Sequence, residues 1–318
     1  MKWENEMIHI QKNIFVDNKE DTVECFDLLI TALGFESRCT YIAELLAGQY
    51  DRGYCLMFKN RHVLAFQKNQ SIFESLKFDI DIWDDNINRG KILSLLKKHP
   101  ETQDEFVKIA VDISSMNRAM VAELFFILAN QESSKLEITF FYTPSKYVAP
   151  PKKLPSMKIS SPVIPEYAGW FDNPNAPLYA VVGLGYEYGK ASGIIEYLEV
   201  SGEWLFKPIG SDKRYLESLE DVNKKLIDQI EKHRVLNYDL EDPYSSFEKL
   251  RSLVDGLLRQ GRVVLIPLGP KLFNLFSVII AEIYSPKVVV WRVSADDTEE
   301  PIDHEPDDKF IQFAIKIN

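Results

Sequence analysis

Four short segments of this chain combine glycine, hydroxyl, amide and charged side chains at points where an apolar run gives way to a helical pattern. Such a junction offers free backbone N–H groups and hydroxyls that can hold an anion. Carboxylates in the same segments could instead serve as a nucleophile or a general acid/base. The candidate residues are Gly34, Phe35, Glu36, Ser37, Arg38, Asp112, Ser114, Ser115, Asn117 and Arg118 in the first half, and Gly185, Tyr186, Glu187, Tyr188, Gly269, Pro270 and Lys271 in the second.

The anion-binding hypothesis uses the basic groups of these segments to grip phosphate. Arg38, Arg118 and Lys271 supply the positive charge, and hydrogen bonds come from Ser114, Ser115 and Asn117. The competing interpretation is a plain helix cap with surface charges in the first turn. The Gly269-Pro270-Lys271 segment is the more specific, since proline suits the first helical position and glycine permits a sharp turn before it. No Walker or GxGxxG spacing accompanies these residues.

The acids of the same segments support a different hypothesis. Glu36 and Glu187 hold equivalent places in the two halves, and Asp112 is a possible second acid in the first. They favour an enzyme acting on a nucleotide or nucleoside, similar to a glycosidase or phosphoribosyltransferase. The adjacent acids and threonine-rich loop of a phosphoribosyltransferase are missing, however. A first-turn carboxylate is also favoured by the helix dipole alone.

The elements that must position these residues occur twice. Leu33-Gly34-Phe35-Glu36 and Leu184-Gly185-Tyr186-Glu187 lie 184 − 33 = 151 residues apart, and each follows a hydrophobic run. Four further strand candidates recur in the same order at similar offsets, with helical patterns between them. Each half therefore reads β-α-β-α-β-α-β-α-β. The predicted fold class is α/β, with two tandem Rossmann-like domains, each a doubly wound parallel sheet, related by internal duplication.

The expected domains are 1–148 and 178–318, joined by a proline-rich linker over 149–177. Its prolines exclude a helix or a central strand, so the linker is expected to be extended, with Tyr167, Trp170 and Phe171 pinning it. The second domain is expected to end in a solvated acidic loop, Asp296 to Asp308, and an edge strand over Phe310 to Ile315.

Composition narrows the classes of partner. A net charge of −11 and a pI near 5.1 argue against a polymeric nucleic acid partner, although a basic pocket for a small nucleotide remains allowed. Three cysteines and five scattered histidines show no metal-ligand spacing, so neither a metal nor a cofactor is expected. The apolar runs are too short to cross a bilayer, and the first residues lack a signal-peptide core, which favours a cytoplasmic protein.

The predicted fold places the four segments in pairs. In the common strand order 3-2-1-4-5, strands one and four are neighbours whose outgoing connections diverge, and ligands bind in the crevice at their carboxyl ends. The segments after strands one and four are Gly34 to Arg38 and Asp112 to Arg118 in the first half. In the second half they are Gly183 to Tyr188 and Pro267 to Lys271. We therefore expect one site per half.

Two polar turns give the chain a family resemblance. Asp112-Ile113-Ser114-Ser115-Met116-Asn117 and Pro267-Leu268-Gly269-Pro270-Lys271 stand in the place of the strand-to-helix turn of the nucleotide-sensing CARF domain. The whole chain resembles its relative SAVED, which is built from two fused CARF-like halves. The family's threonine-glycine-glycine-threonine-lysine turn itself is not reproduced.

The resemblance implies a sensor of a cyclic or linear oligonucleotide second messenger in a prokaryotic antiviral defence system. Because this length leaves no room for an effector domain, the expected protein partner is a separate effector chain, and a homo-oligomer is also possible. The enzyme described above is the alternative. A second alternative is a protein–protein interaction module whose crevices are filled by side chains.

Overall fold

The computed structural model describes residues 8–11, 25–84, 89–97, 106–149, 159–169, 173–186, 189–294 and 301–318. The chain divides into two compact units. Unit 1 comprises Met1–Lys146 and Pro301–Asn318, and unit 2 comprises Tyr147–Glu300.

The elements alternate between strand and helix through most of the chain. In order they are β1 (Ile8–Gln11), β2 (Phe26–Leu33), α1 (Tyr41–Leu45), β3 (Tyr50–Phe58), α2 (Phe66–Ser75), β4 (Asp79–Trp83), α3 (Arg89–Leu96), β5 (Val107–Asp112), α4 (Arg118–Ala129), β6 (Leu136–Tyr142), β7 (Ile159–Pro162), β8 (Leu178–Gly183), α5 (Lys190–Tyr197), β9 (Gly202–Ile209), α6 (Lys213–Gln229), β10 (Val235–Asp239), α7 (Pro243–Leu258), β11 (Arg262–Pro267), α8 (Lys271–Ile283), β12 (Val288–Ser294) and β13 (Ile311–Ile317).

Over the described residues these strands form one sheet in each unit. The order is β1-β13-β6-β5-β2-β3-β4 in unit 1 and β10-β9-β8-β11-β12-β7 in unit 2. The five parallel strands of each unit, β2 to β6 and β8 to β12, stand in the order 3-2-1-4-5. The predicted α/β class and the doubly wound order are therefore confirmed in both halves.

The central strands are apolar because helices cover both faces of a parallel sheet. Seven of the eight residues of β2 are buried, and its one partly exposed residue, Asp27, accepts a hydrogen bond from the backbone N–H of Lys108 on β5 at 2.7 Å. Pairing on both sides leaves β2 and β8 no free edge. Their carboxyl ends therefore lie between neighbours, where the candidate segments begin.

The closing strand differs from expectation. It was predicted as an edge strand of the second domain, but β13 belongs to unit 1, where it pairs antiparallel with β6 on one side and β1 on the other. Ile311, Phe313, Ala314, Ile315 and Ile317 are all buried. Because both of its edges are paired, β13 lies inside the sheet and leaves no row of backbone N–H and C=O groups exposed.

The proline-rich segment contributes an element to unit 2. Ile159–Pro162 forms β7, an antiparallel edge strand on β12, which is the kind of strand position that tolerates proline. Tyr167 is buried, and its hydroxyl donates to Glu282 at 2.8 Å, so this residue does pin the segment. Trp170 and Phe171 lie outside the described residues. Within the described ranges, every helix is too short or too polar to span a bilayer.

Candidate functional site

In unit 1 the turn after β2 is held by an asparagine from the following helical layer. The amide of Asn69 on α2 donates to the carbonyl oxygens of Gly34 at 3.0 Å and Glu36 at 2.9 Å. Asn69 is buried, and its two amide hydrogens satisfy two carbonyls of a turn that has left the sheet ladder. The turn that carries Phe35, Glu36 and Ser37 is therefore fixed in place.

Arg38 is buried at the start of the short helical turn that follows. Its Nε donates to Glu36 Oε2 at 2.8 Å, and its Nη1 donates to the carbonyl of Thr143 at 3.0 Å. Burial alone would lower the pKa of Arg38, but the charge of Glu36 and the neighbouring Tyr142 hydroxyl raise it overall. The guanidinium is therefore charged, and it ties the turn after β2 to the segment after β6.

Asp112 ends β5 as a fully buried carboxylate. Its Oδ1 accepts hydrogen bonds from the backbone N–H of Ser114 at 2.9 Å and from the Ser114 hydroxyl, while Oδ2 has no hydrogen-bond partner. Burial raises the pKa of Asp112 to about 6. The bonds from Ser114 and the charge of Arg38 oppose that rise, and the charge of Glu36 adds to it. A carboxyl group that titrates near neutral pH is suited to proton transfer.

The segment after β5 contacts the segments after β2 and β6, each through one serine. The hydroxyl of Ser115 lies 3.5 Å from Glu36 Oε2, and Ser114 Oγ accepts a hydrogen bond from the backbone N–H of Thr143 at 2.8 Å. The structure thus brings Glu36, Arg38, Asp112, Ser114 and Ser115 together at the carboxyl edge of the sheet. The hydroxyl of Ser114, which was expected to donate to phosphate, instead donates to Asp112 and accepts from Thr143.

The helix α4 begins at this point. Asn117 is its N-cap and accepts from the backbone N–H of Met120 at 2.8 Å, so the cap role falls to Asn117 and to neither serine. Arg118 is the first helical residue and is partly exposed, and the first turn of α4 contains no acid.

A C-terminal segment crosses this edge of unit 1. Asp303 accepts hydrogen bonds from the backbone N–H and the hydroxyl of Ser37, both at 2.6 Å, and the carbonyl of His304 accepts from the backbone N–H of Arg38 at 3.1 Å. Farther along, the backbone N–H of Lys146 donates to Glu305, and that of Asp307 donates to Pro144. We call residues 303–307 the strap. The sequence predicted a solvated acidic loop here, whereas this part of it is anchored.

Unit 2 holds its turn after β8 in the same way. The amide of Asn223 on α6 donates to the carbonyl of Gly185 at 2.8 Å, as Asn69 does to Gly34. The offsets 223 − 69 = 154 and 185 − 34 = 151 match the sequence repeat. Tyr186 is partly exposed beyond this turn. Glu187 and Tyr188, both predicted site residues, lie outside the described residues.

The turn after β11 packs directly on the turn after β8. The backbone N–H groups of Leu268 and Gly269 donate to the carbonyl of Gly183 at 2.9 and 3.0 Å. A Cβ at Gly269 would lie 2.3 Å from the carbonyl oxygen of Leu184, so the approach requires glycine. Pro270 is the N-cap residue of α8 without a side-chain cap bond, and Lys271 is the first helical residue.

Three features of the sites had no signal in the pattern of the sequence. Asn69 and Asn223 stand inside helices, where an asparagine shows no sign of its target. Lys190 is buried at the start of α5, 190 − 38 = 152 residues from the buried Arg38, so each unit buries a cation after its first strand. Asp303 belongs to a segment that the sequence placed in the other domain.

An aromatic cluster adjoins the turn after β8 in unit 2. The rings of Tyr186 and Tyr215 stack with centroids 5.6 Å apart, and Tyr147 meets Tyr215 edge to face at 5.0 Å. The guanidinium of Arg214 lies 4.7 Å from the centre of the Tyr147 ring. These contacts hold the first turn of α6 against the segments of the same chain that carry Tyr147 and Tyr186.

One cysteine lies at the site of unit 1, where the thiol of Cys39 donates to the carbonyl of Gly34 at 3.7 Å. Cys25, Cys39 and Cys55 are free, and burial raises the pKa of both Cys39 and Cys55 above the usual range, so these two are unreactive as nucleophiles. Among the residues that the structure describes, no set of histidine, cysteine and acidic side chains is arranged to hold a metal ion.

The fold and these sites define an α/β protein with two doubly wound units and a polar carboxyl edge in each. No protein-family model matches the sequence, and no curated protein does. Among solved structures, similarity extends to a putative universal stress protein from Pseudomonas aeruginosa UCBPP-PA14, with 10% identity, 84% of this chain and 94% of that chain covered, and a TM-score of 0.27.

Two further structures match at a similar level. The cytoplasmic domain of a prokaryotic cation chloride cotransporter has 9% identity, with 86% and 97% of the two chains covered and a TM-score of 0.25. Phosphoethanolamine N-methyltransferase 1 of Haemonchus contortus has 10% identity, with 85% and 75% covered and a TM-score of 0.24. Similarity at this level carries no argument about function.

Proposed function

We propose that the protein binds a phosphate-bearing nucleotide at the carboxyl ends of strands one and four. One observation carries the proposal: the helix after strand four begins with a cation in both units, Arg118 on α4 and Lys271 on α8, and neither helix has an acid in its first turn. The offset, 271 − 118 = 153, matches the repeat.

Helices α5 and α6 also begin with a cation and have no acid in the first turn, so what distinguishes Arg118 and Lys271 is that both stand directly after strand four. A helix N-terminus carries partial positive charge, which favours acids there and disfavours Arg and Lys. A bound phosphate reverses this preference, because it is attracted both by the N–H groups of the first turn and by the side chain beside them. In an acidic chain of net charge −11, two such cations at equivalent places favour an anionic ligand.

The proposed role is sensing. In line with the resemblance to CARF and SAVED, the ligand would be a cyclic or linear oligonucleotide second messenger of an antiviral system, bound without cleavage and signalled to a separate effector chain. The carboxyl-edge sites of the two doubly wound units support a ligand of this chemical class.

Loss of both helix-start cations should weaken binding at least tenfold. The purified protein is screened by thermal shift against cyclic di-, tri- and tetranucleotides, linear oligoadenylates, NAD and phosphoribosyl pyrophosphate. The Arg118→Ala/Lys271→Ala double variant is then titrated with the best ligand, where tenfold corresponds to about 1.4 kcal/mol.

Arg259→Ala is the matched control for that titration. It removes an exposed cation at the end of α7, the helix that leads into the amino end of β11, so the charge lost lies at the opposite edge of the sheet. Equal binding by the double variant and the control would contradict the proposed site. No thermal shift with any compound would instead favour a protein partner.

Asp112 supports a second candidate, an enzyme that processes a nucleotide or nucleoside. A buried carboxyl with a pKa of about 6, close enough to Glu36 to feel its charge, can transfer a proton to or from a bound substrate. Chromatography of each ligand after incubation separates the candidates: a ligand recovered intact supports a sensor. Cleavage that is lost in Asp112→Asn supports the enzyme.

A further inference from the structure

We infer that the strap closes the site of unit 1, so that in the intact chain only the site of unit 2 takes up phosphate. This inference rests on the proposed function. It concerns residues 303–307, which hydrogen-bond with the segments after two different strands of unit 1.

Sheet topology places the strap over the crevice. At one end, Asp303 and His304 bond to Ser37 and Arg38, directly after β2. At the other end, Glu305 and Asp307 bond to the segment at 144–146, directly after β6. Since β5 lies between β2 and β6 in the sheet, a segment fastened to both must pass the carboxyl end of β5. That end, between the connections after strands one and four, is where a doubly wound sheet binds its ligand.

The strap also supplies an anion to the turn after β2. Both oxygens of the Asp303 carboxylate are engaged, one by the backbone N–H of Ser37 and the other by its hydroxyl, at 2.6 Å each. A phosphate oxygen would seek the same two donors. The side chain of Asp303 therefore occupies a place that a ligand's phosphate would need, and its negative charge repels an approaching one.

The burial of Asp112 agrees with closure of the site of unit 1 by the strap. Asp112 at the end of β5 is only 1% exposed, and its Oδ2 has no hydrogen-bond partner. A carboxylate at the carboxyl end of a strand, beside an open crevice, would be hydrated. Here it is shut away from water, as expected if the segment that passes over β5 excludes solvent.

Titration with sodium pyrophosphate by isothermal calorimetry tests the inference. The wild-type chain should bind one pyrophosphate, and Lys271→Ala should abolish this binding. Asp303→Ala should bind a second, which Arg118→Ala removes when added to it. Glu305→Ala is the matched control: it lies in the same strap, but its carboxylate pairs only with the exposed Lys146, and its stoichiometry should stay at one.

Hydrogen exchange of the strap amides shows independently whether Asp303→Ala releases the strap. In Asp303→Ala, exchange over 304–307 should rise; unchanged exchange would mean that Asp303 does not fasten the strap, and the inference is wrong. Faster exchange without a second site would overturn it too, as would two sites in the wild type. If the wild type binds nothing at Lys271 and Asp303→Ala gains an Arg118-dependent site, the closure of unit 1 by the strap stands, while phosphate uptake by unit 2, and with it the proposed function of that unit, fails. No binding by either protein overturns both.

Discussion

Replacement of Asp112 by asparagine is expected to stabilise the protein at pH 7.5 and to leave its stability unchanged near pH 4. The pKa of Asp112 is about 6 in the folded chain, against a usual value of 3.8. Between these values the folded chain keeps a proton that the unfolded chain releases, so the free energy of unfolding falls as the pH rises through this window. Above pH 6, ionisation of the buried carboxyl lowers the free energy of unfolding by its full amount, up to about 3 kcal/mol at 1.36 kcal/mol per pH unit.

Asparagine removes the charge and keeps an oxygen that accepts from Ser114. Urea unfolding at pH 4, 5, 6 and 7.5 gives the comparison, with Asp51→Asn, at an exposed position of β3, as the control for the loss of one aspartate charge from the surface. A variant less stable than the wild type at pH 7.5 would show that the ionised Asp112 is compensated by Arg38. A gain would identify Asp112 as an acid retained at the expense of stability, as is common for residues that serve function.

The sequence predicted the sheet order and the carboxyl-edge sites because both follow from local pattern. Apolar strands such as Phe26–Leu33, separated by helical periods, leave few topologies once crossovers must be right-handed. The pairing of Glu36 with the segment after Asp112 follows from that topology, since strands one and four are neighbours. These predictions needed no knowledge of any long-range contact.

Other features depended on contacts that the pattern does not encode. Asn69 sits in the interior of α2, and only the fold shows that it faces the carbonyls of Gly34 and Glu36. The strand β13 has the alternation of an edge strand, yet it pairs on both sides in the first sheet, with Ile311 opposite Tyr142, which lies 311 − 142 = 169 residues earlier in the chain. The strap immediately precedes β13 in the chain and is likewise held by contacts with unit 1 that are distant in sequence.

The partners of the buried Arg38 could not be predicted from the sequence either. From the sequence, Arg38 was a candidate to grip phosphate, and the structure gives it Glu36 and Thr143 instead. An unpaired buried guanidinium is costly, so a chain that buries one must provide acceptors. The sequence predicted that Arg38 lies at this edge of the sheet. Whether it binds a ligand or other residues of the protein depends on which acceptors the fold places beside it.

Replacement of Gly269 by alanine is expected to destabilise the protein by about 2–3 kcal/mol and to abolish phosphate binding by unit 2. The added Cβ would lie 2.3 Å from the carbonyl oxygen of Leu184 and 3.2 Å from its carbonyl carbon. Both atoms belong to the backbone, so no side chain can turn away, and the two turns must separate at an overpacking cost of this order. Lys271 begins its helix two residues later and moves with the turn.

Gly256→Ala is the control for this change, because no atom lies within 4 Å of its added Cβ and the residue stands in α7, where alanine is favoured by up to about 1 kcal/mol. Urea midpoints should therefore move in opposite directions for the two variants, and pyrophosphate titration should fail only for Gly269→Ala. If Gly269→Ala unfolds at the wild-type midpoint, the turns after β8 and β11 can yield at little cost. If it is destabilised yet binds as before, the position of Lys271 does not depend on the contact of these turns, and phosphate must be held elsewhere in unit 2.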